Sequence, residues 1–187
     1  MKVYFTASIF GKKYHLQNYL QIVNALKSKG YSVIADHIFN SSESKIRMET
    51  KAERIKFHTK LERWIQSSDC MIVETTFPSI SVGYEISLAL HLGKPVLILY
   101  SEGDPPSLLA HHKDEKLLCE KYTRSTVKDI IEDFINYVGA SADARFTFFI
   151  TPEIAAYLED VSKRKKMPKS VYLRKLIETD MLSKHRT

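Results

Sequence analysis

Short apolar runs alternate with segments of helical period along most of the chain. Residues 2–6 alternate and are rich in β-formers, residues 31–35 give a second strand, and residues 70–73 and 96–100 are apolar throughout. Between them, residues 14–29 place Leu16, Tyr19, Leu20, Val23 and Leu26 at helical spacing before Gly30. Residues 50–66 carry Ile55, Leu61, Trp64 and Ile65 on one predicted side, and 82–92 form a helix ending at Gly93, while 40–49 read as a polar loop. Residues 117–122 add an edge strand, and Ser125 caps a helix over 126–138. Strands apolar on both sides and separated by helices require a parallel sheet covered on both faces. The predicted fold class is α/β, a Rossmann-like doubly wound sheet.

The pattern changes beyond the small, polar stretch 139–143, which reads as a linker. One strand over 145–150 is followed by a helix from Thr151-Pro152 to about Lys165 and a second helix over 171–182. The predicted organisation is therefore a domain at 1–138, a linker at 139–143 and a small domain at 144–187. A unit of about 45 residues buries too little core to stand alone, so it is expected to dimerise. Charge follows the same division. The formal net charge is +6, and residues 141–187 hold ten Lys and Arg against six Asp and Glu, leaving 18 against 16 for the other 140.

No apolar run approaches the ~18 residues of a membrane span, and the chain enters a strand without a leader pattern, so a cytoplasmic location is expected. Cys70 and Cys119 are too few for a disulfide framework and read as structural. His111 and His112 lack partner ligands at metal spacing, and neither dinucleotide nor ATP phosphate-loop glycine motifs occur, so no metal and no cofactor are expected.

In an open parallel sheet, ligands bind beyond the carboxyl ends of the strands. The informative stretch there is 74–85, where Gly83 permits close backbone approach and Glu85 falls in the expected first helical turn, a position that favours an ionised carboxylate. Residues 3–9, Asp36-His37, Trp64 before Ser68-Asp69, the PSxxVGYE element at 78–85 and Gly93-Lys94-Pro95 together resemble the nucleoside 2-deoxyribosyltransferase family, most nearly its 2'-deoxynucleoside 5'-phosphate N-hydrolase branch. The resemblance covers roughly 1–138. It implies cleavage of the N-glycosidic bond of a 2'-deoxynucleoside or its 5'-monophosphate, by hydrolysis or transfer, with Glu85 as nucleophile on C1'. It further implies that Tyr4 hydrogen-bonds near the nucleophile, that Ser79 and Ser8 lie toward phosphate or sugar, and that His37 lines the base pocket. Trp64 reads as packing.

Two positions depart from the family. The acid expected three residues before the tryptophan is Leu61, with Glu62 beside it as a substitute, and the phosphate-binding serine expected from a neighbouring subunit falls near Leu109. Residues 144–183 resemble a ribbon-helix-helix module, which implies a homodimer whose paired strands enter the DNA major groove. Arg145 and Thr147 then face base edges, Lys169 and Ser170 face a phosphate, and Phe149 departs from the usual polar residue. The alternative to an enzyme is a nucleotide-sensing, DNA-binding regulator that does not cleave its ligand, for which Leu61 is the motive.

Overall fold

A computed structural model describes residues 1–106, 116–140 and 150–165, together with 169, 172, 173, 176, 177, 179 and 180. It divides into two compact units, Met1–Asp143 and Ala144–Thr187. The first is built on a five-stranded parallel sheet in the order β2-β1-β3-β4-β5. Its strands are β1 (Lys2–Ala7), β2 (Ser32–Ile34), β3 (Cys70–Glu74), β4 (Val96–Tyr100) and β5 (Leu117–Lys121).

Period-2 alternation sorts the central strands between two cores. Val3, Phe5, Ala7, Ile72, Leu97 and Leu99 pack with Tyr19, Ile22 and Leu26 of α1 (Lys12–Ser28) and with Ile131 and Phe134 of α6 (Val127–Ala140). Tyr4, Met71, Val73, Val96 and Ile98 pack on the other face with Leu61 and Ile65 of α4 (Lys51–Gln66) and with Val82, Ile86 and Ala89 of α5 (Ile80–His91). The doubly wound α/β fold is thus the observed one.

Several boundaries differ for identifiable reasons. The stretch 40–49, read as a polar loop, contains a short helix, α3 (Glu43–Met48), and another, α2 (Asp36–Phe39), immediately precedes it. The α3 helix starts on a Ser42 cap and buries no residue, so it carries no hydrophobic period to read. Ile55 is 59 % exposed, because six residues separate it from Leu61 and turn it to another side of α4. A capping box between Thr50 and Glu53 sets the start of α4. The last helix of the unit runs through Gly139 and Ala140, two residues of the expected linker, since one glycine at a helix end costs only about 1 kcal/mol.

In the second unit, α7 (Pro152–Lys165) buries Leu158 and Val161, while Ile150, Ile154, Leu176 and Ile177 are exposed. No helix among the described residues is long and apolar enough to cross a membrane.

Candidate active site

The carboxyl end of β1, helices α2 to α4 and the start of α5 enclose a cleft of about 1180 Å³ whose walls include Asp36, His37, Phe57, Lys60, Trp64, Ser79 and Glu85. Glu85 is the sixth residue of α5, because Ser79 caps the helix (Val82 N–H to Ser79 Oγ, 3.5 Å) and starts it two residues before the expected position. The first-turn dipole therefore does not hold its charge. Glu85 is instead 7 % exposed, and burial pushes its carboxyl up to about 7. The Tyr4 hydroxyl, donating to Glu85 Oε2 at 2.8 Å, and the nearby Thr6 hydroxyl pull in the opposite direction. Thr6 Oγ1 reaches no hydrogen-bond partner at full geometry, so Tyr4 is the donor that holds the carboxyl in place.

Tyr4 comes from the central strand β1, and its phenol is itself raised by burial and by the Glu85 charge. His37 Nε2 lies 3.0 Å from the Tyr4 oxygen, and the two rings stack at 5.1 Å. Since the Tyr4 proton points at Glu85, His37 must donate from Nε2–H, which leaves Nδ1 as a buried acceptor without a partner. Burial holds this imidazole down at about 4, so it is neutral at physiological pH. The sequence thus builds a buried relay, His37 to Tyr4 to Glu85. Trp64 continues it into an aromatic wall, with its ring 5.3 Å from His37 and edge-on to Phe57 at 6.1 Å.

The structure brings Glu85, Tyr4, His37 and Ser79 together, but places the other residues elsewhere. Ser8 is buried and absent from the cleft lining; its Oγ accepts from Gly11 N–H at 3.2 Å and so closes the β1–α1 turn. Gly83 does not line the cleft either, and a Cβ there would meet nothing within 4 Å. Glu62 sits off the cleft, 3.7 Å from His58 Nδ1, and that histidine's Nε2 is 2.6 Å from the Tyr84 hydroxyl. Its neighbour Leu61 is 4 % exposed and belongs to the core around Tyr4. Thus α4 presents Phe57, Lys60 and Trp64 to the cleft, and neither residue 61 nor 62 shares that face.

The sequence reading missed Lys60 and the wall role of Trp64. Their i+3 and i+7 relation to Phe57 was the available signal, hidden because the helix has two differently used faces. In the second unit, Lys169 forms an ion pair with Glu159; Arg145, Thr147, Phe149 and Ser170 lie outside the described residues, as do Leu109, His111 and His112. Among the described residues, no three His, Cys, Asp or Glu cluster as metal ligands.

A family model described as nucleoside 2-deoxyribosyltransferase matches residues 3–136, and one described as ribbon-helix-helix domain matches 144–186. A 5-hydroxymethyl-dUMP N-hydrolase of Esox lucius is 31 % identical over 148 residues, covering 76 % of this chain and all of that one. The Mus musculus protein of the same name is 36 % identical over 99 residues, 52 % of this chain and 56 % of its own. A solved 2-deoxyribosyltransferase from Bacillus psychrosaccharolyticus shares the fold, with a TM-score of 0.54 and 16 % identity over 69 % of this chain and 91 % of that chain. The chain belongs to the nucleoside 2-deoxyribosyltransferase family, as an enzyme of its N-glycosidase and transferase class with a ribbon-helix-helix domain appended.

Proposed function

We propose that the enzyme cleaves the N-glycosidic bond of a 2'-deoxynucleoside 5'-monophosphate through attack of Glu85 on C1', and that its C-terminal domain dimerises and binds DNA. The observation that carries the catalytic reading is a single carboxylate, 93 % hidden yet lining the cleft, with Tyr4 fixed on one of its oxygens. Tyr4 occupies Oε2 and leaves Oε1 for C1'. As the new O–C1' bond forms, the C1'–N bond breaks and its electron pair goes to the base; water or a second base then displaces Glu85 from the deoxyribosyl ester. A carboxylate in a poorly solvated site is well placed to stabilise the oxocarbenium-like charge of both transition states. The phosphate reading is supported by the dUMP-type names of the relatives and by Ser79, which lines the cleft as the cap of α5.

The DNA reading rests on the ribbon-helix-helix match and the basic C-terminal quarter. Ile150, Ile154, Leu176 and Ile177 remain exposed in a unit too small to leave them so, which favours a second copy. Incubating wild type and Glu85→Gln with deoxynucleosides and their 5'-monophosphates tests the chemistry: free base from wild type alone is expected. Equal release by both proteins removes Glu85 from the mechanism. Salt-dependent retention of the full chain on duplex DNA tests the second part.

A further inference from the structure

Cleaving an N-glycosidic bond leaves an electron pair on a base nitrogen, and that charge must be met either by a proton or by a fixed cation. The α4 helix bears on this directly. Leu61 faces the core, and Glu62 is turned toward His58. Two cations of α4 line the cleft: Arg54, whose guanidinium donates to the Glu49 carbonyl at 3.1 Å, and Lys60, whose ammonium lies 4.9 Å from the centroid of the Trp64 ring. That ring touches His37, which is hydrogen-bonded to Tyr4 and through it to Glu85. One wall therefore carries nucleophile, relay, aromatic surface and cation in sequence. Of the other acids on the cleft, Asp36 is exposed, Glu49 is half-buried just beyond α3, and Glu53 caps α4 through Thr50.

We propose that Lys60 is a catalytic residue that stabilises the departing base as an anion, in place of protonating it with a carboxylic acid. The inference rests on the N-glycosidic reading above. As Glu85 bonds to C1', both electrons of the C1'–N bond pass to the base, and the resulting anion ion-pairs with the Lys60 ammonium until water protonates it. The chemistry selects bases that delocalise negative charge over flanking carbonyls, as pyrimidine-2,4-diones do. It disfavours bases that need a proton on the ring before they leave. The cation is held over an indole face, an attraction that biases its position without locking it.

The test is the dependence of base release on leaving-group acidity, measured with 5-fluoro-, unsubstituted and 5-methyl-2'-deoxyuridine 5'-monophosphates. Wild type is expected to show a shallow dependence. Lys60→Met should lower kcat on the order of 10²-fold for the 5-methyl substrate and much less for the 5-fluoro one, steepening the slope. Lys60→Arg should restore the shallow slope, and Asp36→Asn should leave it as in wild type. Parallel rates for wild type and Lys60→Met, or a slope steepened by Asp36→Asn and not by Lys60→Met, overturns the inference and leaves the N-glycosidic reading intact. No base release by wild type from any of the three substrates overturns the inference, and no release from the purine and cytosine 2'-deoxynucleoside 5'-monophosphates as well overturns the N-glycosidic reading.

Discussion

Two buried glutamates stand at the carboxyl edge of the same sheet, on opposite faces. Glu85 shares the face of α4 and α5, with Tyr4 as its donor and the cleft before it. Glu74, the last residue of β3, lies on the side of α1 and α6, fully buried, and accepts from the Thr76 hydroxyl and from the Tyr122 hydroxyl at 3.1 Å. Burial raises both carboxyls above their ordinary range. Perturbed acidity therefore does not distinguish them. What does is access: Glu85 lines a cavity a substrate can enter, whereas Glu74 is enclosed by tyrosines, with Oε2 meeting no partner. The Glu74 cluster joins the loops after β3 and β4, through Thr76 bonded to Ser101, and so stabilises the platform that the Glu85 side uses.

The contrast can be broken at its strongest point first. Glu85→Gln is expected to lower base release by at least ~10³-fold, as loss of a nucleophile does, without loss of fold. Tyr4→Phe should cost on the order of 10²-fold in kcat and move the ascending limb of the pH–rate profile, expected near 7, to higher pH, because the donor that favours ionised Glu85 is gone. A limb that stays in place would show that Tyr4 does not set the charge. Glu74→Ala should leave base release near the wild-type rate but lower stability by about 2 kcal/mol in urea unfolding, since the buried Tyr122 hydroxyl and the half-buried Thr76 hydroxyl lose an acceptor.

The smallest effect concerns the pH dependence of stability. Glu85 binds its proton more tightly folded (about 7) than at its ordinary value of 4.5, so its contribution is full below 4.5 and is lost as pH rises through 7. His37, held down at about 4, works with the opposite sign: stability falls as pH drops from 6.5 through 4. Glu85→Gln should therefore remove the decline between 4.5 and 7 relative to wild type, and His37→Gln the loss on the acid side.

Much of this was legible in the residues. The strand and helix order followed from period and glycine caps, and the residues that the structure groups at the cleft, Glu85, Tyr4, His37 and Ser79, were named through the resemblance carried by residues 3–9, Asp36-His37 and the element at 78–85. The misses have physical causes. Ser8 is chemically suited to phosphate, but its hydroxyl closes a turn that Gly11 enters under Phe77, where a Cβ would lie 2.5 Å from the phenylalanine Cβ. Helix α3 has no buried face, so nothing in its pattern marks it. Lys60 and Leu61 are adjacent in sequence but about 100° apart on α4, and only the packed helix shows which enters the cleft. The Glu74 cluster is assembled from β3, the loops and β5, and no local spacing announces it.

The central claim is that Glu85, and not its buried counterpart, bonds to the sugar. The most direct test is peptide mass mapping of the full chain after exposure to a 2'-fluoro-2'-deoxyarabinosyl pyrimidine 5'-monophosphate, whose fluorine slows resolution of the glycosyl ester. The account predicts release of free base and a single sugar-phosphate adduct on the peptide containing Glu85, absent in Glu85→Gln. An adduct on any other residue, or free base from Glu85→Gln at the wild-type rate, would contradict it.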